Sequence, residues 1–492
     1  MKRQIACILL LALLQFPAAQ AEQNDSSALT VSLPPENEQI LGDDSTAQTR
    51  EVTLYYASEN ETELSSVTRR ISVPVNGSLI ERVLGELLGN SAVNRLRPAV
   101  AESALCSVEF GSGVATVDLS VETAANLSEA ECFRLCVSIA NTLLGLDEVE
   151  AVNILIGGQS YAVHALPLGT FTQQIPSVSA AYAQIQAEAE RYSAETGSVS
   201  RSIVLYFPSQ TGGYFLPEAR SISFDAENCL NAVLNALMDG PQVRQCCYSP
   251  VPKGVDYLLE MPVVNVSGAG ERLITLNFSA TLSNYLAFAG IEPWQLYGSA
   301  ALTLLSFYPE TAAVRILIDG APAVVNAGTV FSDGVVYRSD FASLIGSSAQ
   351  FYYASGGSGL VRLEAPMSQA ASGSALSILR EMISSGDPDI EGLRSVFPAG
   401  IEPEDILGVA LDGRIATVNL SANFYAHCQS LSDDGEHLLI YAMVNALCEL
   451  RQIGAVGFRV EGELFESLSG EIYMKSSLLP DPGLIDDNID EE

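Results

Sequence analysis

Basic side chains are scarce in this chain: 24 Lys and Arg stand against 59 Asp and Glu, a net charge of −35 over 492 residues. Nucleic-acid binding needs clustered cations against phosphate, so that class is excluded. Adhesion to anionic lipid surfaces is excluded for the same reason. The acidity reads as solubility through self-repulsion, with a basic protein partner or bound cations as the other readings. Histidine occurs three times and tryptophan once. No CxxC is written, which removes a zinc ribbon or thioredoxin-like centre. There is no GxSxG elbow, no HExxH, no P-loop and no GxGxxG after a strand. Beyond the amino terminus no run of about eighteen apolar residues occurs, so no integral membrane span is expected.

Apolar residues make up 48% of the chain, enough for real cores. The amino terminus has the pattern of a signal peptide over residues 1–21. Lys2 and Arg3 precede an apolar run from Ile5 to Phe16, and Ala19-Gln20-Ala21 is a small-x-small cleavage site. Cys7 lies ahead of most of that run, badly placed for a lipoprotein cleavage site. The reading is an exported protein without a lipid anchor. The other cysteines are Cys106, Cys132, Cys136, Cys229, Cys246, Cys247, Cys428 and Cys448. None recurs at one place in the repeats described next, so buried free thiols are expected rather than a disulfide framework.

The stretch ATVDLS (115–120) returns as ITLNFS (274–279) and ATVNLS (416–421). Each copy is followed by a second shared piece, AVNILIGG, AVRILIDG or AVGFRVEG. Repetition of this kind has to be settled before any motif is interpreted. Every copy opens on an aromatic strand: VTLYYAS from Val52, IVLYFPS from Ile203, AQFYYAS from Ala349. A second strand follows, through Arg70–Val73, Arg220–Phe224 or Arg362-Leu363. Then Ile80, Val83, Leu84, Leu87 and Leu88 recur at helical spacing, as do Leu230, Val233, Leu234, Leu237 and Met238, and Leu376, Leu379 and Ile383. Gly89, Gly240 and Gly386 stand where a left-handed helix terminus would fall.

After a proline-containing loop come two strands, the second being the repeated motif, whose faces alternate. A longer helix is predicted next. Ser128 with Glu131 forms a capping box and Phe133, Val137, Ala140 and Leu144 line a face. Pro293 suits the first turn in the second copy, and Asp433 with Glu436 make a capping pair in the third. The closing strand ends at Gly157-Gly158, Asp319-Gly320 or Glu461-Gly462, the first two being hairpin turns into another strand.

The fold class is therefore α+β: three tandem two-layer domains, each a small β-sheet with two helices on one face around an αββαβ core. The boundaries read as signal peptide 1–21, disordered leader 22–50, domains 51–170, 201–337 and 349–470, joins 171–200 (helical) and 338–348, and a frayed acidic tail 471–492. The order LYY, ERVLGELLG, G-x-ATV-[DN]-LS, SIANTLLGL and VEAVNILIGG, written three times, resembles the GerMN domain family of spore germination and sporulation proteins. The resemblance implies a cell-envelope protein built for interactions, with modules similar in fold to ring-building motifs of secretion and sporulation complexes.

Chemistry is hard to find. The polar residue of the repeated strand is Asp118, then Asn277, then Asn419, and an Asn cannot act as a general base. The swap suits a side-chain oxygen that bonds backbone at a strand end, with Ser120, Ser279 and Ser421 doing similar turn chemistry. Asn277 and Asn419 form N-x-S sequons inside a core strand, poorly placed for a glycan. His164 reads as structural. His427, Cys428, Asp433, Asp434 and His437 are a local cluster with no standard metal spacing, more a helix-capping loop than a metal site. Trp294 is expected to be packed. Tyr55-Tyr56 and Tyr352-Tyr353 could offer a sugar-stacking face, although neighbours on a strand point to opposite sides and one of each pair should be core. No catalytic, cofactor-binding or metal residue is assigned.

The expectation is a non-enzymatic, extracytoplasmic envelope protein of a Gram-positive type bacterium. It would act as a scaffold or assembly component on envelope or secretion-complex proteins, or on copies of itself. The alternative is a cell-wall glycan or peptide binder with peptidoglycan as partner. A hydrolase with an unfamiliar site ranks below both.

Overall fold

The structure is a computed structural model. It describes residues 48–57, 62–73, 78–89, 105–125, 127–195, 197–210, 213–243, 245–251, 257–267, 270–322, 334–356 and 359–486. The signal peptide, most of the leader and the LRPAV loop lie outside these residues.

The first module begins with an antiparallel ribbon, β1 (Gln48–Ala57) against β2 (Leu64–Val73). α1 (Leu79–Gly89), β3 (Leu105–Gly111), β4 (Val114–Leu119), α2 (Val121–Ala125), α3 (Glu129–Leu143) and β5 (Ala151–Ile156) follow. Three short strands, β6 (Gln159–Ser160), β7 (Ala162–Val163) and β8 (Leu166–Pro167), and helix α4 (Val178–Ser193) complete it.

The second module runs β9 (Val199–Pro208), β10 (Phe215–Phe224), α5 (Cys229–Met238), β11 (Val263–Val266), β12 (Arg272–Phe278), α6 (Thr281–Ala289), α7 (Pro293–Phe307), β13 (Ala313–Ile318), β14 (Ala321–Pro322) and β15 (Val335–Val336). The third runs β16 (Gly346–Ala354), β17 (Leu360–Ser368), α8 (Gln369–Ser372), α9 (Ala375–Ser384), β18 (Ile406–Asp412), β19 (Ile415–Leu420), α10 (Ala422–Cys428), α11 (Asp433–Cys448) and β20 (Ala455–Val460).

The class is α+β, as the patterning requires. Each module holds a sheet in the order β3-β4-β5, β11-β12-β13 or β18-β19-β20. The first pair in each is antiparallel and the second parallel, so the long helix between them is the crossover that a parallel pair demands. The opening ribbon stands apart from this sheet and covers the long helix. Tyr55 N–H donates to Thr142 Oγ1 at 3.0 Å and Ser138 Oγ donates to the Tyr55 carbonyl at 2.5 Å. In the second module Tyr206 N–H donates to Thr303 Oγ1 at 3.1 Å. α7 is buried without a break from Leu296 to Phe307. A helix enclosed on every side has no need of an amphipathic stripe, which is why its sequence shows none.

The shorter helices follow the stripe rule. Ile80, Val83, Leu84, Leu87 and Leu88 are all buried, each worth about 1.5–3 kcal/mol of transfer free energy. In α9 the buried face is Ile378, Leu379, Met382 and Ile383, with Leu376 only partly covered. Gly240 and Gly386 are left-handed, at φ 79° and 60°, whereas Gly89 is the last residue of its helix. The Ser128–Glu131 capping box and Pro293 in the first turn are present.

Four differences from the sequence reading have physical causes. First, a short helix (α2, α6 or α10) follows each motif strand. In the third module Ser421 starts it by accepting the Phe424 N–H at 2.9 Å. Second, α11 is capped by Ser432 and not by an Asp433–Glu436 pair. Third, the last three leader residues, Gln48 to Arg50, belong to β1 and pair with Val73, Ser72 and Ile71, and Arg50 reaches Glu148 at 2.7 Å. Fourth, the acidic tail is not frayed as far as Asp486. Leu478 exchanges backbone hydrogen bonds with Val456, Asn445 clasps the backbone of Asp481, and Ile472 and Met474 are buried. Apolar residues spaced among the carboxylates carry that docking.

Candidate functional site

The most regular polar feature is a lock between the two repeated motifs. The Gly158 N–H donates to Asp118 Oδ1 at 2.9 Å, Gly320 N–H to Asn277 Oδ1 at 2.9 Å, and Gly462 N–H to Asn419 Oδ1 at 2.8 Å. The preceding turn residue donates to the strand as well: Gly157 to the Leu119 carbonyl, Asp319 to Phe278 and Glu461 to Leu420. Each turn holds two successive left-handed residues, for example Asp319 at φ 48° and Gly320 at 76°. That pairing is the type I′ geometry, and it needs a glycine at its second place. The backbone partner thus lies at the end of the neighbouring parallel strand rather than locally. Burial raises the Asp118 carboxyl above its ordinary range although Gly158 donates to it. Asn serves the same hydrogen bond without a charge to desolvate.

A second polar constellation joins the modules. Arg338, just after the second module's last strand, donates from Nη1 and Nη2 to both carboxylate oxygens of Glu109 on β3, at 2.7 and 2.6 Å. The same guanidinium donates to Tyr206 Oη at 3.1 Å and from Nε to Ser306 Oγ at 3.2 Å. The side chains of Arg338 and Glu109 are almost fully buried. Around this pair, Phe110 N–H donates to Gln369 Oε1 at 3.3 Å and Ser112 N–H to Ser347 Oγ at 3.0 Å. A Cβ on Gly111 would collide with the Gly346 carbonyl. Val114, Ala151 and Leu166 of the first module belong to the second module's apolar core. The Ser-rich join of 338–348 is therefore packed, with Phe341 buried against Phe215 at a 6.0 Å ring separation. Residues Gln39–Glu492 form one compact unit.

The other singled-out residues are placed as follows. His164 sits in a left-handed turn, its Nε2 3.2 Å from Glu129 Oε1. His427 bonds the Asn423 carbonyl at 3.0 Å, while His437 packs edge-on to Tyr441 at 4.8 Å. Among the described residues no group of three His, Cys, Asp or Glu could hold a metal. Trp294 packs edge-on to Phe215 at 5.5 Å. Tyr56 is buried and Tyr55 half-buried, but Tyr352 and Tyr353 are both buried, so the third module offers no tyrosine face. Tyr352 directs its hydroxyl to Glu449 at 2.7 Å instead.

The eight described cysteines are free thiols. Six are buried; Cys106 departs from that expectation and is exposed, at a β-bulge between Leu105 and Ser107. Burial pushes the Cys229 and Cys428 thiols up to about 12, which keeps them inert. Sequence patterning missed the burial of Glu436. It is fully buried and accepts from Leu468 N–H, Ser469 Oγ and Glu471 N–H, each at 2.8 Å. The sequence reading had placed it in a capping pair with Asp433.

Comparison with known families now decides the lineage. A family model described as Germane, sporulation and spore germination, matches residues 53–162, 204–324 and 350–466, well over half of the chain. The chain belongs to the Germane family. Its three Germane segments each contain one strand–turn lock from acceptor to glycine. Among solved structures, the chain is similar to the tandem GerMN domains of the sporulation protein GerM from Bacillus subtilis. Identity there is 18%, covering 59% of this chain and 98% of that one, with a TM-score of 0.25. The first GerMN domain of the same Bacillus subtilis protein matches at 19% identity, covering 26% of this chain and 96% of that one, TM-score 0.20. No curated protein matches. Among the described residues, no helix of this Germane chain is long and apolar enough to cross a membrane.

Proposed function

We propose that this Germane chain is a non-enzymatic, exported scaffold that serves in assembling an envelope complex of sporulation or spore germination. The observation that carries the reading is the Glu109–Arg338–Tyr206 constellation. It welds successive modules into one body and spends buried charge on shape rather than on a reactive site. The repeated polar residues are committed to backbone in all three modules, which leaves them no role in bond chemistry. Export and the envelope setting rest on the signal-peptide pattern of residues 1–21.

The experiment is affinity capture with the tagged chain from residue 22 onward against solubilised envelope of the source organism, with mass spectrometry of what is retained. A discrete set of envelope or secretion-complex proteins is the expected result. Retention of wall fragments alone, or of nothing, would overturn the scaffold reading.

A further inference from the structure

The opening ribbons of the second and third modules treat the outer edge of their second strand alike at its start. Phe215, the first residue of β10, bridges Ile345 in the parallel sense. The chain runs from there into β16, which packs against β10. Leu360, the first residue of β17, bridges Ile485 in the same parallel sense, and Asp486 N–H donates to the Leu360 carbonyl at 2.7 Å. The described residues end at Asp486. Among them no strand carries that pairing further, and β17 has β16 as its one strand neighbour.

A cleft of about 1560 Å³ lies along β17. Eight consecutive residues, Val361 to Ser368, line it. Successive strand residues point to opposite faces, so the cleft opens on the outer edge of β17 rather than on one face. Backbone groups alternate in the same way. The Leu360 carbonyl points outward to Asp486, so Arg362 presents its N–H and C=O to the cleft. Pro366 has the same parity but no N–H to give, so the run closes there. An open strand edge in a cleft takes an extended peptide, and the Ile485–Asp486 segment shows this edge accepting one.

Charge chooses the occupant. The described lining holds six carboxylates, among them the exposed Glu381, Asp387 and Asp389. Against them stands one cation, Arg362, which already lies 3.6 Å from Glu449. Val243 and Ile390 add exposed apolar side chains. Asp487, Asp490, Glu491 and Glu492 give the rest of the tail the wrong sign for this lining, and a second copy brings a net −35.

We infer that the β17 cleft binds an extended cationic segment of a partner protein. The segment adds as a strand beside Arg362 and sets lysine or arginine side chains against the Glu381 and Asp389 carboxylates. The inference deepens the scaffold reading by giving the partner a chemistry, and it rests on that reading for its purpose but not for its test.

The test is isothermal titration calorimetry on the chain from residue 22 onward with a short peptide of alternating lysine and valine. Two control peptides accompany it. One has glutamate in place of lysine. The other has alternate backbone nitrogens methylated, which keeps the charge and removes strand hydrogen bonds. The double variant Glu381→Lys with Asp389→Lys is measured beside the parent. Both side chains are exposed, so the variant should keep the parent's circular dichroism and melting temperature. The expected result is that the lysine peptide binds and slows hydrogen exchange across 361–368. Its affinity should fall about tenfold or more on methylation, and again in the double variant. No binding of the lysine peptide, or binding that methylation or the charge reversal leaves unchanged, would overturn the inference. Preference for the glutamate peptide would overturn it in favour of an acidic segment such as the chain's own tail. A parent that sediments as a dimer and ignores the lysine peptide would overturn it in favour of a second copy. Envelope capture separates the two readings. A charge-reversed chain that retains the parent's envelope proteins loses this inference and keeps the scaffold, and a parent that binds the peptide but retains nothing does the reverse.

Discussion

The Asn419 side chain and the Gly462 amide are 43 residues apart and meet at 2.8 Å, with Asn419 wholly buried. The bond fixes the far end of β20 onto β19 by a side chain as well as by the ladder. Asn419→Ala leaves a buried N–H without its acceptor and should destabilise the chain by about 1–3 kcal/mol. Thermal or urea denaturation checks this, and an unchanged melting temperature would show the bond to be dispensable.

Asp118 fills the same place with a carboxylate whose protonation burial favours. Its folded-state value lies above the ordinary 3.8, so the folded chain holds a proton that the unfolded chain releases. Its contribution to stability is fully present below 3.8 and is lost as pH rises through the folded value. Asp118→Asn removes that loss. The variant should melt higher than the parent at pH 7, with the gap closing on acidification. A gap independent of pH would contradict the assignment.

Glu436 titrates in the opposite sense. Burial raises its carboxyl, but the donors from Glu471, Ser469 and Leu468 outweigh that and hold it below the ordinary range. The resulting stability is present above the unfolded value and is lost as pH falls through the folded one. Glu436→Gln weakens charge-assisted bonds and should cost about 1.5–3 kcal/mol at neutral pH, less in acid. Hydrogen exchange of the 468–471 amides reads the loss directly.

The Arg338–Glu109 pair is buried and bidentate. Removing one partner strands the other charge, so Arg338→Ala or Glu109→Ala alone should cost about 3–5 kcal/mol. Replacing both with methionine should cost less than either single truncation. A double-mutant cycle on denaturation midpoints measures this, and strict additivity would mean that the pair does not couple the modules.

Cys106 is the exposed thiol among the described cysteines. Burial around it, then Asp118 and Glu122, raises its pKa, so its alkylation should be slow near neutrality and quicken with pH. Mass spectrometry after maleimide treatment of the folded chain should find the label at Cys106 first. Equal labelling of Cys136 or Cys229 would contradict the burial.

The α1 stripe was legible in the sequence because that helix faces water on one side; the alternation in ATVDLS read as a half-buried strand, yet β4 is buried on both faces, with only Asp118 partly covered. The surroundings of α7 were not legible, since a helix covered on every side by apolar partners leaves no period to read. The lock was half visible: the Asp/Asn exchange pointed to an acceptor, but the glycine amide it serves depends on the parallel register of β4 with β5. Glu436 and Arg338 left no local trace, because their partners arrive from 32 and 229 positions away. Tyr352-Tyr353 misled for a related reason: a ribbon laid on a helix can bury both faces of its first strand.

Because Arg338 stands after the second Germane segment and closes on Glu109 inside the first, the unit that was copied and the unit that folds have different lengths. A segment cut out at the family boundaries, such as 53–162, would carry a buried carboxylate with its counter-charge left behind. Deleting the first copy from this chain would therefore separate Arg338 from Glu109. The first two modules are thus held together by a buried charge pair that neither family segment contains whole.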